Sequence, residues 1–324
     1  MDRLLGSARN VVAFVAFVAI LTTGGPAGCA QPAPGDSAMG PGLLVRLADG
    51  RRINLRCSGQ GAPTILLEGG FAATSLVWGR VQPALARAHR VCAYDRAGYG
   101  FSDPGPMPRD GAAVARDLDE ALRAARIGGP YVLVGHSAGA LYMRLFSDLR
   151  SPEVVGMVLV DPSVEHQDRR LAAAFGPDAG SLAGPRARAE RCLTAAEQGR
   201  LPSVEPLLAV CTPPTASAWR TQISELDSLW TATSDEIDRG RKSYGALPLV
   251  ILTADGGHPG APEPMLDPAR RYWAALHSEL AARSSRGVAR WVANSSHMIM
   301  KDRPDAIIGA VGEVITAAGA SQQN

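Results

Sequence analysis

Short, mostly apolar strand-like runs alternate along this chain with stretches of helical periodicity. The runs cover residues 64–68, 90–95, 131–134, 154–160, 248–253 and 288–292. Helical spacing of apolar positions marks residues 78–88, 109–126, 138–149, 268–283 and 304–317. A run apolar at every position predicts a strand covered on both faces, and its alternation with helices predicts a mostly parallel sheet between two helical layers. Two earlier strand-like runs, 43–48 and 51–57, are joined by Asp49-Gly50, a two-residue hairpin signal, so the sheet is expected to open antiparallel. Asp267 is expected to cap the helix that Pro268 begins.

Between residues 163 and 246 the alternation stops. This interval is rich in Ala, Arg and Leu with helical periodicity and no strand-like run, and it reads as a helical cap inserted between two core strands. The core is then 43–162 together with 247–320. The first thirty residues differ again. Arg3 and Arg9 precede an apolar run over 11–21, followed by small residues to Ala30, the pattern of a secretory signal. That run falls short of the ~20 residues that span a bilayer, which disfavours the alternative of an uncleaved anchor. Ala27-Gly28-Cys29 resembles the end of a lipoprotein signal, in which Cys29 would carry a lipid and tether the protein to a membrane. Pro26 departs from that pattern, and cleavage after Ala30 is the alternative. Either route exports the protein to the periplasm, the cell surface or the medium, with residues 31–42, rich in Pro and Gly, as a flexible linker. The 324-residue chain has a net charge of only +2, so no nucleic-acid partner is expected.

The chemistry concentrates at Gly135-His136-Ser137-Ala138-Gly139, which follows the strand at 131–134 and opens a helix. That context gives the G-x-S-x-G spacing its meaning: the strand-to-helix turn is too tight for side chains two residues either side of the serine. Ser137 is the expected nucleophile, and the N–H of Ala138, at the positive end of the helix, an oxyanion donor. A serine hydroxyl needs a base. Of six histidines, His297 follows the last strand and fits the chain order Ser, acid, His. His136 is expected to be turned away from the site, and His89, His166, His258 and His277 to be surface or packing residues. Asp255, after the strand at 248–253, is the expected acid, with Asp161, one strand earlier, as its rival. The loop Glu68-Gly69-Gly70-Phe71 offers a second oxyanion donor from Gly70 or Phe71, while Glu68 either pairs with Arg96 or is solvated at the strand end. Trp219 and Trp230 either line an acyl site or fill the cap's core. No metal-ligand spacing, Walker pattern or dinucleotide fingerprint occurs, so no cofactor is expected.

Together the blocks Leu-Glu-Gly-Gly (67–70), Tyr-Asp-Arg-Ala-Gly-Tyr-Gly (94–100), Gly-His-Ser-Ala-Gly (135–139) and Leu-Val-Asp-Pro-Ser (159–163) resemble the α/β-hydrolase superfamily. The resemblance runs from about residue 43 to 318. It implies an eight-stranded sheet in the order 1-2-4-3-5-6-7-8, strand 2 antiparallel, helices on both faces and a helical cap after strand 6. It also implies Ser137, Asp255 and His297 as a catalytic triad. In that order strands 2 and 4 are antiparallel neighbours, which would bring Cys57 beside Cys92 as a disulfide and leave Cys192 and Cys211 as a second. Buried free thiols are the alternative. The implied activity is hydrolysis of a small-molecule ester through an acyl-enzyme. Amide or aminopeptide cleavage, a perhydrolase or haloperoxidase side activity and a non-catalytic ligand-binding role are the alternatives. Relatives that dehalogenate or open epoxides carry Asp at the elbow, and Ser137 argues against both.

Overall fold

The computed structural model describes residues 40–200, 215–256 and 263–321. The expected signal, Cys29, residues 31–39 of the expected linker, Cys211 and His258 lie outside the described residues. Among those described, no helix is long and apolar enough to cross a membrane.

One sheet contains β1 (Leu43–Arg46), β2 (Arg52–Ser58), β3 (Thr64–Glu68), β4 (Val91–Tyr94), β5 (Tyr131–His136), β6 (Val154–Val160), β7 (Leu249–Ala254) and β8 (Gly287–Val292). Their spatial order is β1-β2-β4-β3-β5-β6-β7-β8. β2 is antiparallel to both β1 and β4, and all other pairs are parallel. In the first half of the chain the helices are α1 (Gln82–Leu85), α2 (Gly111–Ala124) and α3 (Ala138–Leu149). Between β6 and β7 come α4 (Gln167–Phe175), α5 (Ala183–Glu197), α6 (Ala216–Leu229) and α7 (Ala232–Arg239), followed later by α8 (Glu263–Ala281), α9 (Ile299–Asp302) and α10 (Pro304–Ser321).

Period-two alternation sends successive side chains of the central strands β3 to β7 into opposite layers, and these strands are almost wholly buried. On one face Leu66, Leu133, Leu159 and Ile251 join Leu118 and Leu122 of α2, Phe146 of α3 and Leu276 of α8 in one buried cluster. On the other, Leu67, Val132, Val134 and Val160 join Trp78 and Ile307, Val311 and Val314 of α10. Each such side chain contributes about 1.5–3 kcal/mol by leaving water, so both layers are held by the sheet. Cys57 and Cys92 stand directly opposite in the β2–β4 ladder, Cα atoms 4.1 Å apart, and form a disulfide. Cys192 is also disulfide-bonded.

Three local expectations differ from the structure. The β1–β2 ladder ends at Arg46 opposite Arg52, and Leu47 N–H bonds to Arg51 O, so the turn is Ala48-Asp49-Gly50 with Gly50 at φ +89°. A three-residue turn needs a left-handed last residue, which glycine supplies. The segment 78–88 is not one helix: Trp78 ends a 3-10 turn and α1 spans only Gln82–Leu85, since Gly79 and Pro83 break continuous helical bonding. α8 begins at Glu263, so Pro268 lies inside the helix rather than at its first position.

Of the four helices after β6, α7 meets the core through polar contacts at the start of α2. Gly111 N–H donates to Thr233 Oγ1 at 2.9 Å and Ala112 N–H to Glu236 Oε2 at 2.8 Å, while Asp110 accepts from Ala113 N–H at 2.8 Å. These bonds satisfy amides that have no acceptor within the helix.

Candidate active site

Ser137 joins β5 directly to α3 with φ +52° and ψ −125°. A left-handed conformation at a residue with a side chain costs on the order of 1–3 kcal/mol, and it persists here because the surroundings hold it. Ser137 N–H donates to Val160 O at 3.1 Å, and its carbonyl accepts from Ala140 N–H at 3.0 Å and Ser163 N–H at 3.1 Å. A Cβ on Gly135 would lie 2.8 Å from Ala140 Cα, and one on Gly139 would lie 2.5 Å from Gly69 O. Both glycines are therefore required by close backbone approach. The serine side chain is left half-buried, in front of the first turn of α3. There the N–H of Ala138 begins the helix, whose leading amides lack intrahelical acceptors.

Gly70 closes the other side. A Cβ placed on it would meet Ser137 Cβ at 3.0 Å and His136 Nδ1 at 2.9 Å, so its backbone lies against the serine. The preceding Glu68 is fully buried and pairs with Arg96 at 2.7 Å, resolving the two readings of that residue in favour of the pair. Burial pushes the Glu68 carboxyl up to about 7, against the pull of Arg96.

His297 follows β8 in a loop pinned at several points. Ser295 Oγ donates to Val292 O at 2.7 Å, and Asp302 accepts from the N–H and hydroxyl of Ser296 at 2.8 and 2.6 Å. The His297 side chain is 46% exposed, and its Nδ1 lies 2.6 Å from Asp161 Oδ2. Because a carboxylate only accepts, Nδ1 carries a proton, and in the neutral ring this tautomer leaves the lone pair on Nε2, the arrangement a general base needs.

The carboxylate at His297 thus belongs to Asp161, and the expectation of Asp255 in that place is corrected. Val160 pairs with Leu252 in the β6–β7 ladder, and Asp161 N–H bonds to Leu252 O at 2.7 Å. With φ +40°, Asp161 turns its carboxylate across the end of β7, where Oδ1 accepts from Ala254 N–H and Trp273 Nε1–H, both at 3.0 Å. Asp255 comes next in the chain, and its own N–H is taken by Val292 O at 3.3 Å. Burial pushes the Asp161 carboxyl up, but the hydrogen bond and charge of His297 outweigh it and hold the group below the ordinary range.

His136 is also placed differently from expectation. It shares the strand face of Val132 and Val134, which looks toward α9 and α10, and there the His297 loop arrives. Its Nε2–H donates to His297 O at 2.9 Å, and the two rings lie 4.6 Å apart between centroids. Burial drives the His136 pKa down to about 3, so the ring is neutral. Trp273 and Asp302 are two further contributors without a motif: one donates to Asp161, the other braces the loop. His277 lies buried on α8 between Thr253 Oγ1 (2.7 Å) and Pro162 O (3.0 Å).

Above the site, Phe71 packs against two buried clusters. One contains Ala138, Tyr142, Leu229 and Trp230, the other Cys192, Trp219 and Leu226. Both tryptophans are buried in these clusters. Trp230 and Leu182 also line a cavity of about 350 Å³ with Asp168, Arg169 and Arg186. Among the described residues, no cluster of three or more His, Cys, Asp or Glu side chains could hold a metal ion.

A Hormonema carpetanum protein named as the probable transporter efuK is 36% identical over 115 residues, 34% of this chain and 16% of that one. N-formylmaleamate deformylase of Pseudomonas putida is 34% identical over 121 residues, 37% of this chain and 44% of the enzyme. The chain thus spans less than half the length of either relative. A solved hydrolase structure from Pseudomonas aeruginosa shares the fold with a TM-score of 0.57 at 19% identity, covering 84% of this chain and 97% of that one. Residues 65–310 match the family described as the alpha/beta hydrolase family, and this chain belongs to it.

Proposed function

We propose that the protein is a serine hydrolase that cleaves a carboxylic ester of a small molecule through an acyl-enzyme. The observation that carries this reading is the 2.6 Å contact of His297 Nδ1 with Asp161, beside a serine held at positive φ. In the first step Ser137 Oγ attacks the carbonyl carbon while His297 Nε2 takes its proton. Charge develops on the carbonyl oxygen, and the N–H groups of Ala138 and of Gly70 or Phe71 stabilise it. Collapse expels the alcohol, which takes the proton from His297. Water, deprotonated by the same nitrogen, then releases the acid. Asp161 fixes the imidazole tautomer and stabilises the imidazolium without taking the proton.

An alcohol leaves more easily than an amine, which favours esters. The likeness to N-formylmaleamate deformylase keeps acyl groups on nitrogen as a second reading. Working outside the cytoplasm belongs to the same proposal, supported by the Cys57–Cys92 bridge, since disulfides persist in oxidising compartments. The test is fluorophosphonate labelling of the wild type and of Ser137→Ala, followed by p-nitrophenyl esters of graded chain length beside N-acyl and aminoacyl arylamides. Labelling and ester turnover that vanish together in Ser137→Ala support the proposal. A folded wild type that does neither would point to a ligand-binding protein instead.

A further inference from the structure

Arg96 lies beneath the oxyanion loop, 2% exposed, with all five of its N–H donors in use. Nη1 donates to Glu68 Oε1 at 2.7 Å and to Gly69 O at 3.0 Å. Nη2 donates to Gly70 O at 3.0 Å and to Glu225 Oε2 at 3.2 Å, and Nε donates to Glu225 Oε1 at 3.0 Å. The guanidinium lies over the rings of Tyr99 and Tyr142, 4.4 and 5.4 Å from their centroids, and Tyr99 Oη–H donates to Glu225 Oε2 at 2.7 Å. Glu225 is a residue of α6, in the segment inserted between β6 and β7, yet it is buried with the core arginine.

The peptide group converts this grip into an orientation. In a planar trans peptide the C=O and N–H point in opposite directions. The carbonyls of Gly69 and Gly70 belong to the same peptide units as the N–H groups of Gly70 and Phe71. Drawing both carbonyls onto one guanidinium turns both N–H groups away from it. On the far side Gly70 faces the serine, since a Cβ on that glycine would come within 3.0 Å of Ser137 Cβ.

We infer that Arg96 is the positioning residue that aims the Gly70 and Phe71 amides at the reacting carbonyl oxygen, and that Glu225 holds Arg96 in place from the inserted helices. The inference rests on the serine-hydrolase reading above. It makes the α6 helix part of the catalytic geometry as well as a cover, since the same carboxylate that docks α6 fixes the arginine's plane. Lysine cannot replace the fork, because one ammonium cannot reach two carbonyls and two carboxylates in fixed directions.

The test compares wild type, Arg96→Lys and Glu225→Gln with p-nitrophenyl acetate, counting active sites by fluorophosphonate labelling carried to completion. Phenylboronic acid, whose serine adduct is tetrahedral, reports on the oxyanion donors. Arg96→Lys is expected to lower kcat per active site about a hundredfold, the range seen when one oxyanion donor is lost. KM should stay within about threefold, and boronate affinity should fall by the same factor as kcat. Glu225→Gln keeps the side chain's shape and is expected to show the same pattern at about tenfold. It decides the question if Arg96→Lys does not fold. Folded variants with wild-type kcat per labelled site, or with raised KM and unchanged kcat, would overturn the inference while leaving the hydrolase reading intact. A folded wild type without labelling would remove both.

Discussion

His136 donates its Nε2–H to the backbone carbonyl of His297 at 2.9 Å, so the residue next to the proposed nucleophile holds the loop of the proposed base. Burial pushes the His136 pKa down to about 3, and the ring therefore stays neutral, with its donor in place, at every pH where the protein would work. His136→Phe keeps an aromatic ring, though a larger one, and removes the donor. We expect kcat to fall about tenfold and stability to drop by about 1 kcal/mol, the net worth of a buried hydrogen bond. Urea denaturation and steady-state kinetics check the two effects separately, and wild-type values in both would refute the role.

Asp161 and Asp255 are separated by a pair of substitutions. Asp161→Asn should lower kcat on p-nitrophenyl acetate by a thousandfold or more, on the order seen when a triad acid becomes an amide and the imidazole tautomer is lost. Asp255→Asn should stay within about threefold of wild type. The reverse ranking would return the acid to β7. Trp273→Phe, which withdraws one of the three donors on Asp161, should fall between them.

Glu68 makes stability depend on pH in a stated direction. Its folded pKa of about 7 lies above the unfolded value of about 4.3, so across that window the native state holds a proton the unfolded chain has released. Stability therefore declines as pH rises from about 4 through 7. Glu68→Gln removes the titration, and its urea midpoint relative to wild type should improve steadily between pH 5 and pH 8. Parallel pH curves for the two proteins would contradict the assignment.

The Cys57–Cys92 bridge closes a loop over a sequence separation of 35. Chain-entropy reasoning gives about 3–4 kcal/mol for a loop of that length. Cys92 is the second residue of β4, near its start, whereas the site lies at the carboxyl ends of the parallel strands. The double serine variant should therefore unfold at lower urea yet keep wild-type kcat at 25 °C. Loss of kcat in the still-folded variant would show that the bridge reaches the site.

The parts of this protein legible in its sequence are those decided by neighbours along the chain. Gly135 identifies Ser137 because the tight turn between strand and helix is a local event, a Cβ there meeting Ala140 five positions on. The space at Gly139 is instead taken by Gly69 and Glu68 from the end of β3. The apolar runs of β3 to β7 reveal strands covered on both faces for a similar reason, since burial acts on nearly every residue of those runs. The run at 288–292, by contrast, forms a strand that leaves Val288 and Trp291 exposed. Even so, Gly79 and Pro83 broke a segment whose periodicity read as one helix, because two local exceptions outweighed the pattern.

What only the tertiary structure decided are the partners. Asp161 and Asp255 both follow apolar strands, and nothing local distinguishes them. The β6–β7 register, which sets Val160 opposite Leu252, sends the Asp161 carboxylate across the strand ends to His297. Arg96 and Glu225 stand 129 positions apart, and their pairing under Gly69 and Gly70 depends on how α6 settles on the core. A turn is written in consecutive side chains. A hydrogen bond between distant segments follows from the packing that brings them together, which no stretch of sequence contains by itself.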